Sequence, residues 1–264
     1  MKAKWAAGLG GAAAVLLLVG ATGAAWAAEP EANRTPILIE LFTSEGCSSC
    51  PPIDQWAARL DEVQPIAGAR VILLSEHVDY WDHDGWKDPF SSAQLTERQA
   101  EYSHRLGLSE VYTPQVIVDG DEELRPWKTD EVKASLDRAA RAAAVAVRID
   151  GAAVAGGELT GRIEADGAGQ KRDADVYVAV ALNRTETDVL AGENNGRKLT
   201  NVAVVKALVK IGRLEKGKAF DGAFRLKLWP EADPENLRVV AFVQEPGPGK
   251  VLGAAVTKEI GARH

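Results

Sequence analysis

Ile37-Leu38-Ile39-Glu40-Leu41-Phe42 is an almost unbroken apolar run, and Arg70-Val71-Ile72-Leu73-Leu74-Ser75 is a second. A strand with one wet face alternates apolar and polar residues, so such runs predict strands buried on both faces of a mixed or parallel sheet. Between them, Ile53, Trp56, Ala57 and Leu60 recur at helical spacing over residues 51–63, and proline is well tolerated in a first helical turn. The opening therefore reads β-α-β with a right-handed crossover.

Both cysteines of the chain, Cys47 and Cys50, stand where the first strand passes into that helix. A structural disulfide stabilises by closing a long loop, and this one would close almost nothing. A zinc site built on thiolates wants four cysteines, or two with histidines at finger spacing, and no second C-x-x-C is present. Redox chemistry remains in front. A helix N-terminus lowers a thiol's pKa, so Cys47 is the candidate attacking thiolate, and Cys50, one turn later, the candidate resolving thiol.

Downstream, residues 77–90 form an aromatic and acidic loop, followed by a helix capped by Ser91 or Ser92 and stopped at Gly107. Residues 113–120 read as a strand ending in an Asp119-Gly120 turn, and Thr129 opens a helix through Ala144. His77, Asp79, Asp82, His83 and Asp84 could supply ligands, so a copper or zinc site on Cys47, Cys50 and His77 is the alternative to a cofactor-free redox disulfide. The competing reading is a lid pinned by Tyr80, Trp81, Trp86 and Phe90. From Val145 onward, short runs such as 145–149, 176–182, 224–229 and 239–243 predict an antiparallel sandwich, interrupted by a helix over 201–211. Residues 193–197, with the Asn195-Gly196 turn, read as a polar hairpin loop whose ordinary role is to shape the chain; the functional alternative is a loop that packs over or beside the thiols and selects partners. No phosphate-binding glycine loop and no G-x-S-x-G elbow is found.

Lys2 and Lys4 ahead of an apolar stretch, then Ala25-Trp26-Ala27, predict a signal peptide over residues 1–27 and a short leader over 28–35. That implies a periplasmic or secreted protein without a membrane span after cleavage. The formal net charge is −7, which argues against nucleic acid or an anionic membrane as partner. Protein or small-molecule thiols and disulfides are the expected partners.

Residues 40–52 (ELFTSEGCSSCPP), 77–82 (HVDYWD), 85–90 (GWKDPF), 112–115 (YTPQ) and 192–201 (GENNGRKLTN) resemble the signature blocks of an exported bacterial thioredoxin-like family, domain of unknown function 1223. The resemblance implies an α/β thioredoxin-like domain over 36–144, followed by an all-β, sandwich-like C-terminal domain over 145–264. It implies that Pro114 matches the cis-proline facing the cysteines of thioredoxin-like proteins and shapes a substrate groove with Thr113, Trp81 and Trp86. Glu40 resembles the buried acid that assists proton transfer there, and would serve Cys50. Gly46 replaces the usual Trp and Ser48-Ser49 the usual Gly-Pro, so no redox potential carries over, and a non-catalytic thioredoxin-like module that only binds partners is the third reading.

Overall fold

The structure, a computed structural model, describes Met1 and residues 34–262. The expected signal peptide and nearly all of the leader lie outside the described residues; Thr35 already belongs to the first strand. The β-α-β opening is present as β1 (Thr35–Thr43), α1 (Pro51–Val63) and β2 (Ala69–His77), with β1 and β2 parallel. Helix α2 (Ala93–Leu106) follows, with Ser92 at its N-cap and Gly107 at φ 65° ending it. Then come β3 (Gln115–Val118), β4 (Glu122–Leu124) and α3 (Thr129–Ala139), which stops five residues before Ala144.

The second half does not form a separate sandwich. Its strands β7 (Ala174–Asp188), β8 (Lys198–Leu214), β10 (Leu237–Gln244) and β11 (Val251–Thr257) join the first half in one eight-stranded mixed sheet, ordered β11-β10-β7-β8-β2-β1-β3-β4. Only β5 (Val147–Ala155), β6 (Glu158–Ala165), β9 (Phe220–Lys227) and the short β12 (Gly261–Ala262) form a second sheet. The expected thioredoxin-like domain followed by an all-β domain is therefore corrected to a single strand-rich unit. The physical reason is visible in β10, every residue of which is buried: a two-sheet sandwich covers a strand on one face only, whereas β10 packs Val239 and Ala241 into one core and Val240 and Phe242 into another. Two ties cross the former boundary. Arg238 on β10 makes a bidentate ion pair with Asp61 on α1, both contacts 3.0 Å. Val251 donates its backbone N–H to the Asp119 carbonyl, 2.7 Å, so the sheet curls back on itself.

The expected helix over 201–211 is also corrected, since the segment lies inside β8. In the pairing of β8 with β7, Lys206 and Ile211 have no partner across the ladder. Each such bulge shifts the inward positions by one, so Val205 and Leu208 reach one core and Ile211 and Leu214 the other, each pair at a spacing of three. Two bulges thus imitate helical periodicity in a Val-rich strand.

One face of the large sheet carries α1 and α3 over Ile37, Ile39, Leu41, Val71 and Leu73, and further along it carries the second sheet. The other face, inside the curl, holds Leu38, Ile72, Leu74, Phe242 and Leu95 of α2. Alternation along β1 therefore sends Glu40 to the α2 side and Thr43 to the α1 side.

Candidate functional site

Cys47 and Cys50 are joined in a disulfide with Cα atoms 5.4 Å apart. Cys50 is the N-cap of α1 at φ −74°, ψ −44°, already helical, and its carbonyl accepts from Ile53 and Asp54 at 2.9 and 3.0 Å. The pair thus sits at the positive end of a 13-residue helix. Both cysteines are 0% exposed, while Ser48 and Ser49 between them are exposed. The Ser49 hydroxyl lies 3.3 Å from Cys47 Sγ and 3.5 Å from the Thr113 carbonyl oxygen, which is itself 3.8 Å from that sulfur. The Thr113–Pro114 peptide is cis, so the structure brings Cys47, Cys50, Thr113 and Pro114 together.

Trp81 and Trp86 act as braces. The Trp81 indole donates to Thr113 Oγ1 at 2.7 Å, and Trp86 donates to Glu45 Oε2 at 3.1 Å. A Cβ at position 46 would lie 3.1 Å from Trp81 Cβ, which explains glycine immediately before Cys47. Asn194, fully buried, donates to the carbonyls of Glu45 and Cys47 at 2.8 and 2.9 Å, and Arg197 holds its Oδ1 at 2.9 Å. The loop 192–197 therefore packs on the cysteine turn. It reaches there because Gly192, at φ +70°, fits where a Cβ would come within 3.0 Å of Trp86 Cβ.

Glu40 stands elsewhere. It accepts from Arg98 Nε at 2.7 Å and from the Tyr102 hydroxyl, with Gln244 bonded to Tyr102 at 2.6 Å, all within the curl and on the sheet face away from α1. Glu76 lies beside them, 3.7 Å from Arg98 Nε, and burial together with Glu40 holds its carboxyl well above the usual range. The expectation that Glu40 serves Cys50 fails on strand parity.

The acid that does share a face with Cys50 is Asp54, four residues on along α1. At that spacing Cβ atoms lie about 5–6 Å apart. Asp54 is buried and accepts from Thr43 Oγ1 at 2.7 Å; burial pushes its carboxyl up to about 7, against the weaker pull of Thr43 and His77. Below it, His77 on β2 bonds Asp88 through Nδ1 at 2.7 Å, both fully enclosed. Burial alone would depress the imidazole, but Asp88 outweighs it and holds His77 above its ordinary value, while His77 holds Asp88 below the carboxylate range despite burial. The signal for Asp54 was present in the sequence: an acid at i+4 from Cys50 falls among Ile53, Ala57 and Leu60, which are core positions.

The two sulfurs are bonded to each other, His77 Nδ1 is committed to Asp88, and among the described residues no group of three His, Cys, Asp or Glu side chains is arranged to hold a metal ion. Also among the described residues, no helix is long and apolar enough to cross a membrane.

Residues 38–244 match the family described as Protein of unknown function (DUF1223). A crystal structure of an Agrobacterium tumefaciens protein is 28% identical, covers 84% of this chain and 94% of its own length, and superposes with a TM-score of 0.67. HBP35 of Porphyromonas gingivalis is 16% identical over 85% of this chain and 75% of its own, TM-score 0.61, a likeness of fold alone. Comparison with curated proteins gives no match.

Proposed function

We propose, for a chain that belongs to the DUF1223 family of unknown function, that Cys47 and Cys50 form a thiol-disulfide exchange centre working on protein or small-molecule thiols and disulfides in the periplasm or outside the cell. The observation that carries this reading is the placement of a bonded cysteine pair at the N-terminus of α1, beside the Thr113 carbonyl, with an ionisable acid one turn below Cys50.

In the reducing direction, the Cys47 thiolate attacks a substrate disulfide and expels one substrate sulfur as thiolate. Asp54 then takes the Cys50 proton, the Cys50 thiolate attacks Cys47 Sγ, the Cys47–substrate bond breaks, and the second substrate sulfur leaves. The substrate gains two electrons and the protein regains its disulfide; oxidation of a dithiol is the same path reversed. Positive charge at the helix end favours the Cys47 thiolate, and a carboxyl near pKa 7 is matched to proton exchange at neutral pH. The signal peptide expected over residues 1–27 and a formed disulfide both support an oxidising address.

The test is a glutathione redox titration followed by insulin-reduction and dithiol-oxidation assays of the full chain and Cys47→Ser. The expected result is one two-electron transition and activity that Cys47→Ser abolishes. Equal activity in both proteins removes the proposal.

A further inference from the structure

With both sulfurs at 0% exposure, no outside thiol reaches the pair until something covering it moves. Thr113 is braced by Trp81, and Asn194 is buried with three hydrogen bonds. The fastening that solvent reaches is Glu193: its Oε2 accepts the Ser48 backbone N–H at 3.0 Å, an exposed contact between the 189–197 turn and the residue next to Cys47. Ser48 holds the Glu193 carboxyl below its usual range, so it is charged at neutral pH. Among the described residues no ion pair includes Glu193, and the nearby Arg197 bonds Asn194 instead.

We infer that Glu193 is a charged latch on the cysteine pair, holding the 189–197 turn closed over the disulfide and opposing the Cys47 thiolate.

The disulfide is neutral, so closing the latch over it sets no charge against charge. Reduction places a thiolate on Cys47, one residue from the amide that Glu193 grips, and like charges at that separation repel. Linkage makes the effect reciprocal: a latch that closes more firmly on the oxidised form must favour that form, and reduction must loosen the turn by the same factor. The helix end and Glu193 thus act on Cys47 in opposite senses, and the latch limits both how readily the pair is reduced and which partners reach it. Substrates able to displace the turn, or to supply a cation that pairs with Glu193, are favoured over anionic ones.

This rests on the exchange reading, and the experiment separates the two. Glu193→Gln keeps an acceptor for Ser48 and removes the charge; Glu193→Ala removes both; Glu193→Asp keeps the charge and shortens the reach. In reduced full chain, Cys47 alkylation by iodoacetamide at a pH below its thiolate pKa is expected to rise about three- to ten-fold in Glu193→Gln, with the gap narrowing in high salt. Glu193→Ala should show the same rise and also faster reduction of the disulfide by dithiothreitol, whereas Glu193→Asp should share that faster reduction without the full rise in alkylation. Matching Cys47 pKa values in wild type and Glu193→Gln overturn the latch while leaving exchange intact. A pair that does not cycle in the redox titration overturns both.

Discussion

Strands β1 and β2 carry buried ionisable groups on both faces, and the two faces are built oppositely. Inside the curl, Glu40 and Glu76 meet the guanidinium of Arg98, which also bonds Tyr102 and Gln244 at 3.0 and 3.1 Å. Beneath α1, Asp54 hydrogen-bonds only a hydroxyl, and the His77 imidazole is committed to Asp88. A buried carboxylate with its own arginine is fixed in charge and ties elements together; one supported by a hydroxyl alone remains free to bind a proton near neutrality. The first arrangement joins β1, α2 and β10, and the second lies under the cysteines.

Arg98→Met would break the comparison most severely. It leaves two buried carboxyls uncompensated, and we expect a loss of about 3–5 kcal/mol in urea unfolding, with the thiolate pKa of Cys47 unchanged in whatever fraction folds.

Asp54→Asn should do the reverse, slowing resolution by Cys50 about 100-fold without destabilising the protein. Its sign with pH is definite. A carboxyl raised from 3.8 to about 7 on folding binds more protons in the native than in the unfolded state between those values. Wild type therefore loses stability as pH rises from about 4 to 7, by up to roughly 1.4 kcal/mol per unit from this group. Asp119, raised to about 7 by burial, adds to the same slope, so the quantity to measure is the difference between variant and wild type: Asp54→Asn should be the more stable protein at pH 8. A parallel pH dependence of both would contradict the shifted carboxyl.

Asn194→Ala removes two hydrogen bonds to the cysteine turn and should cost about 1–3 kcal/mol, with faster alkylation of reduced Cys47. The smallest effect is Thr43→Val. The Thr43 hydroxyl lowers the Asp54 carboxyl, so its removal should move the pH midpoint of resolution up by about half a unit; a downward shift would refute the assignment.

Much of this was legible in the chain itself. Unbroken apolar runs marked β1 and β2, helical spacing marked α1, and the family resemblance implied the cis bond at Thr113-Pro114. What misled was local pattern read without its partner strands. The runs at 176–182 and 239–243 look like sandwich strands until both faces are seen covered, and two bulges gave β8 the periodicity of a helix. Glu40 was correctly placed on a buried strand, yet its face depends on which parity of β1 packs on α1, and that is a tertiary fact. Asp54 was overlooked because an acid in a first helical turn is ordinarily a solvated dipole partner.

The decisive measurement mixes reduced protein with a small aromatic disulfide and follows, by stopped flow from pH 5 to 9, the second sulfur released as Cys50 resolves the mixed disulfide on Cys47. Release in wild type should rise through a midpoint near pH 7, and that rise should vanish in Asp54→Asn while persisting in Glu40→Gln. If Asp54→Asn follows the wild-type curve and Glu40→Gln does not, the acid serving Cys50 lies on the other face of the sheet, and Asp54 is not its proton acceptor.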